Sequence, residues 1–120
     1  MGRLLVQIVT GPENPTRAAL GLLLARTAAQ AGHEVDVFFG GDAVSYLRPE
    51  TLDASQGVGT GSIREHVDAL SAAGATLHAS RMSAGARGLT PEQLGGREVR
   101  LVTPADVIEL VFAAERVLGY

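Results

Sequence analysis

Cysteine, lysine and tryptophan are missing from this 120-residue chain, and aromatic residues make up only 4% of it. Without a thiol there is no disulfide, no thiolate metal site and no cysteine nucleophile. All ten basic residues are arginine, which removes mechanisms that rest on a Schiff-base lysine or on the lysine of a phosphate-binding loop. A core so short of rings must be aliphatic and rich in alanine. No apolar run approaches the ~20 residues of a membrane span. Gly2-Arg3 lead directly into the first apolar run without the core and cleavage site of a signal peptide, so a cytoplasmic location with no membrane partner is expected. The formal net charge of −3 argues against an electrostatic grip on nucleic acid. His33, His66 and His78 are too scattered to suggest a metal site, and no cofactor motif is visible.

The chain does carry a strong alternation of strand and helix signals. Leu4, Leu5, Val6, Ile8 and Val9 form an apolar run that stops at Thr10-Gly11-Pro12. Asn14-Pro15 then supplies a helix N-cap and a proline at the first helical position, and Gly32 supplies the stop. Val35 to Phe39 reads as a second strand, with His33 an exposed turn residue before it, and Asp42 opens a short helix. Residues 49–61 show no periodicity and read as a loop. Ser62-x-x-Glu65 is a capping box for a helix with Ile63, Val67 and Leu70 at helical spacing and His66 on its wet face. Residues 75–79 form strand 3, 80–88 a second loop, 98–102 strand 4 and 116–120 strand 5. Thr103-Pro104 starts the last helix, with Val107, Ile108, Val111 and Phe112 expected on its buried face. One domain over residues 1–120 follows: a three-layer α/β/α sandwich with a largely parallel, about five-stranded sheet.

In such a sheet ligands bind beside the carboxyl ends of the strands, so the loops there are the first place to look for chemistry. His78 and Ser80 alternate along strand 3 and share a face, but the Gly-x-Ser-x-Gly elbow of the common serine hydrolases is absent. Gly57, Gly59 and Gly61 lack both the spacing of a dinucleotide fingerprint and the lysine of a P-loop. Arg87, beside Gly88, could hold a carboxylate or phosphate through its fork of N–H donors, with Arg17 near the start of the first helix as a possible second contact. The bland alternative for Arg87 is an ion pair within the protein or between subunits.

The wording of these loops resembles the DsrE/DsrF-like family of sulfur-relay and related proteins. The resemblance rests on Gly11-Pro12-Glu13-Asn14-Pro15-Thr16-Arg17-Ala18, on Gly41-Asp42-Ala43-Val44, on Ala86-Arg87-Gly88 and on the corner Gly32-His33-Glu34-Val35. Arg116-Val117-Leu118 fits as well, so it runs nearly end to end. It implies a compact α/β/α domain that assembles as trimers or hexamers. It also implies a persulfide-carrying Cys-x-x-Cys after strand 3, which in register on Arg87-Gly88 falls at Ser80 and Ser83. Serine holds no persulfide, so sulfur transfer by this chain is excluded. The leading expectation is a non-catalytic, small-anion-binding or assembly subunit that forms homo-oligomers. Its candidate ligand residues are Asn14, Arg17, Gly41, Asp42, Ser80, Ser83, Arg87 and Gly88, with no catalytic or metal residue and no cofactor. Two alternatives stand beside it: an enzyme using the loop edge around Ser80 and Arg87, and a structural subunit paired with a Cys-bearing relative.

Overall fold

The computed structural model describes residues 1–120. Five parallel strands form the sheet: β1 (Arg3–Ile8), β2 (Glu34–Phe39), β3 (Thr76–Ser80), β4 (Arg100–Val102) and β5 (Arg116–Gly119). Their spatial order is β4-β3-β2-β1-β5. The chain thus steps outward from β1 to β4 and then returns to the far side of β1. Between the strands run α1 (Pro15–Gln30), α2 (Pro49–Ala54), α3 (Ile63–Ala72), α4 (Arg81–Ala86) and α5 (Pro104–Ala113), with short 3-10 helices at Gly41–Leu47 and Pro91–Leu94.

Helix α1 begins as the sequence dictates: the Asn14 side chain accepts from the Arg17 backbone N–H at 3.2 Å, with Pro15 at the first helical position. Gly32 and Gly74, at φ +93° and +84°, turn the chain out of α1 and α3, a conformation that costs glycine nothing. The two faces of the sheet are covered unequally. Val6, Ile8, Val35, Val37, Phe39, Leu77 and Ala79 pack under α1 and α3, together with Ala84 of α4, Leu52 of α2 and Tyr46, as one large apolar core. On the opposite face the buried apolar residues are only Leu5, Phe38 and Val102, against α5.

Four local expectations are corrected. Residues 49–61 are not a loop: Pro49 starts α2, and Gln56–Gly57 pairs antiparallel with Gly61–Ser62. Residues 80–88 contain α4, capped by Ser80, whose small side chains show no periodicity because only Ala84 is buried. His66 is 4% exposed rather than wet. It continues the Ile63, Val67, Leu70 stripe at helical spacing, its Nε2–H donating to the Thr60 carbonyl at 2.7 Å. Helix α5 buries none of its residues completely; Ile108 and Phe112 are 56% and 85% exposed, and Val107, Leu110 and Val111 make the contacts with the sheet.

Candidate functional site

The loops leaving β1, β2 and β3 meet at one edge. A Cβ on Gly11 would lie 2.7 Å from the Asp42 backbone carbonyl, so the first loop lies directly against the second. Gly41, left-handed at φ +55°, donates its N–H to the Ser83 hydroxyl at 2.9 Å. Ser83 in turn donates its backbone N–H to Ser80 Oγ at 3.1 Å, which starts α4. Arg87 spans the group, donating through Nη2 to Asp42 Oδ1 at 2.7 Å and through Nη1 to the Ser83 carbonyl at 3.0 Å. Arg48 Nη2 closes the cluster on the Arg87 carbonyl at 2.6 Å. Gly88 follows in left-handed conformation at φ +65°.

Of the eight residues singled out in the sequence, six therefore converge: Gly41, Asp42, Ser80, Ser83, Arg87 and Gly88. Asn14 and Arg17 make no side-chain hydrogen bond to this group; they stand at the N-terminus of α1, tied to each other through the cap. The converging groups satisfy one another. The Arg87 fork is occupied by a carboxylate and a carbonyl, and the Ser80 hydroxyl accepts from the α4 backbone. An arriving anion would compete with Asp42 for Arg87.

A second polar group, hidden from sequence reasoning, lies on the α5 face of the sheet. Asp36 and His78 sit on adjacent strands β2 and β3, both buried, with His78 Nε2 at 2.9 Å from Asp36 Oδ1. Arg3 Nε on β1 donates to Asp36 Oδ2 at 3.3 Å. Burial pushes the Asp36 carboxyl up, but the hydrogen bond and charge of His78 and the Arg3 guanidinium outweigh it, holding the carboxyl below its ordinary value. With Asp36 ionised, Nε2 carries the proton and donates to it, and Nδ1 has no hydrogen-bond partner. The signal for this group was a lone aspartate inside the run Val35 to Phe39, where a buried central strand has no other charge.

The architecture is shared with solved proteins. The crystal structure of the ychN protein from E. coli superposes with a TM-score of 0.81 at 18% identity, covering 100% of both chains. A conserved protein of unknown function from Bacteroides thetaiotaomicron, BT1422, superposes with a TM-score of 0.71 at 15% identity, over 99% of this chain and 95% of that one. At these identities the likeness is one of fold. No curated protein matches the chain. The sequence itself fits the model of the DsrE/DsrF-like family from residue 3 to residue 120, and no cysteine is present for the sulfur chemistry associated with the loop after β3. This chain belongs to the DsrE/DsrF-like family.

Proposed function

We propose that this chain is a non-catalytic assembly subunit of the DsrE/DsrF-like kind, closing into a trimer or hexamer through α5 and β5. The observation that carries the reading is the state of α5, an apolar helix with no fully buried residue and with Ile108 and Phe112 pointing outward. Strand β5 adds to it. All four of its residues are exposed, and one of its edges is unpaired. Register with β1 puts Val117 beside Leu5 on the α5 side and Leu118 beside Val6 on the α1 side, so both flanks of the edge are apolar. Helix α1 extends this strip with Leu20 and Leu24, which are also partly exposed. An open, apolar strand edge is an aggregation hazard in a free monomer, and closed symmetric assembly removes it.

The loop edge supports the alternatives less well. Small-anion binding there requires displacement of Asp42 from Arg87, and a nucleophilic role for Ser80 requires a hydroxyl released from the cap of α4. Native mass spectrometry with light scattering tests the proposal. The parent is expected at a multiple of three times 12.4 kDa, and Phe112→Glu at the mass of one chain. A parent that stays at one chain's mass at tens of micromolar overturns it. Assembly only when a Cys-bearing relative is added favours the hetero-complex instead.

A further inference from the structure

The seam on the α5 face continues beyond Asp36 and His78. Arg100 of β4 is the register partner of His78, so Arg3, Asp36, His78 and Arg100 share one face of the sheet across β1, β2, β3 and β4. Above this seam opens a cleft of about 350 Å³, its floor formed by Arg3, His78 and Arg100 and its roof by Asp106 and Glu109 of α5. Val102, Leu110 and Ala113 make up its apolar part.

Three features of the cleft are unexplained by folding alone. First, His78 is 3% exposed with Nδ1 unpartnered, and an unsatisfied buried polar atom is uncommon and costly. Second, the Asp36–His78 pair occupies a sheet face whose other buried members are Leu5, Phe38 and Val102, where an apolar pair would avoid the desolvation of two polar groups. Third, the cations of the floor and the acids of the roof face one another without joining: neither Arg100, Asp106 nor Glu109 takes part in any ion pair. Asp106 gives one oxygen to Thr103 as the cap of α5, and Glu109 forms no side-chain bond.

The charges decide the class of ligand. A simple anion meets Arg3 and Arg100 but is repelled by the two carboxylates above, and a simple cation meets the reverse. A molecule carrying both charges satisfies both walls. The cleft volume lies in the range that holds one small molecule. We propose that this cleft binds an α-amino acid zwitterion with an aliphatic side chain. Its carboxylate lies toward Arg3 and Arg100, its ammonium group toward Asp106 and Glu109, and its side chain on Val102, Leu110 and Ala113. A hydrogen-bonding group brought from the cleft to His78 also gives Nδ1 the partner it lacks.

The probes are L-leucine, its deamino analogue 4-methylpentanoate and its decarboxy analogue isopentylamine, titrated into the full chain while the imidazole nitrogen resonances of His78 are followed by NMR. L-leucine is expected to shift the His78 resonances with half-saturation on the order of millimolar. Each analogue is expected to bind at least about tenfold more weakly, because each lacks one charge-assisted contact. Arg100→Gln and Glu109→Gln, both at exposed positions, are each expected to weaken L-leucine by about the same factor while the thermal melt stays near the parent's. Equal response to L-leucine and either analogue overturns the proposal. So does no response to any of the three, or unchanged binding in both folded variants.

Discussion

Tyr46 is among the largest fully buried side chains of the chain, and its hydroxyl has no hydrogen-bond partner. Burial, with a smaller contribution from the charge of Glu13, pushes that hydroxyl up to about 12. Stability tied to keeping it protonated is therefore fully present below the ordinary tyrosine value near 10 and is lost as pH rises toward 12. Tyr46→Phe removes an unsatisfied group with little change of shape. It is expected to raise stability at neutral pH by about 1 kcal/mol and to flatten the alkaline loss, both read from urea midpoints. Asp36 has the opposite sign. Its folded carboxyl lies below the ordinary 3.8, so its contribution is present above that value and disappears as pH falls through the folded value. In acid titrations of stability the parent is expected to fall more steeply below about pH 4 than Asp36→Asn, which at neutral pH is less stable by about 1–3 kcal/mol. Cysteine has a consequence at this scale as well. Incubation with polysulfide is expected to leave the mass unchanged, since no side chain here accepts sulfane sulfur; a stable gain of one sulfur atom contradicts this.

At the scale of elements, Gly21 shows how two effects of known size compete. It lies within α1, where alanine normally gains up to about 1 kcal/mol over glycine. A Cβ there would sit 2.6 Å from Ile8 Cδ1 and 2.9 Å from Tyr120 Cβ. Because Tyr120 is held by backbone bonds to Gln7, Val9 and Thr10, it has little room to withdraw. Overpacking of about 1–3 kcal/mol is expected to win, and thermal melting of Gly21→Ala below the parent would show it. The elements that were legible in the sequence are those whose signals are local and redundant. For α1, a cap, a proline and a terminal glycine all agree. The α5 start at Thr103-Pro104 is confirmed by the reciprocal bonds of Thr103 and Asp106. Where legibility failed, one signal had two meanings. Pro49, at the head of a stretch expected to be a loop, both ends the 3-10 helix before it, with Arg48 extended, and begins α2. The apolar residues of α5 were expected inside, but a helix laid over a narrow patch of sheet has only one stripe of contacts. The loop-edge cluster of Asp42, Ser83 and Arg87 was legible because its residues stand in recognisable loop wording. The Arg3, Asp36, His78, Arg100 seam was not, because it needs the lateral order of four strands, which no stretch of sequence encodes.

For the whole molecule, the lopsided sandwich separates two kinds of stability. The face under α1 and α3 holds a core of 23 buried apolar residues, and the face under α5 holds three. Leu22→Ala, in the larger core, is expected to cost about 2–5 kcal/mol whatever the state of assembly. Leu118→Ala on the half-exposed edge is expected to change the midpoint of an isolated chain little and to act at the level of association. Comparing the two variants across a dilution series separates these effects. The strand order also dictates a sequence of events during synthesis. Leu4 of β1 pairs with Glu34-flanked Val35 on one side and with Arg116 on the other. The first partner emerges from the ribosome soon after β1, whereas the second arrives only after every other strand and helix has been made. Until then β1 is an edge strand of the nascent sheet and presents a bare ladder of backbone donors and acceptors, open to any passing strand. The final residues of the fold thus act as its seal, and the interval before they arrive is when this chain is most exposed to mispairing with its neighbours on a crowded polysome.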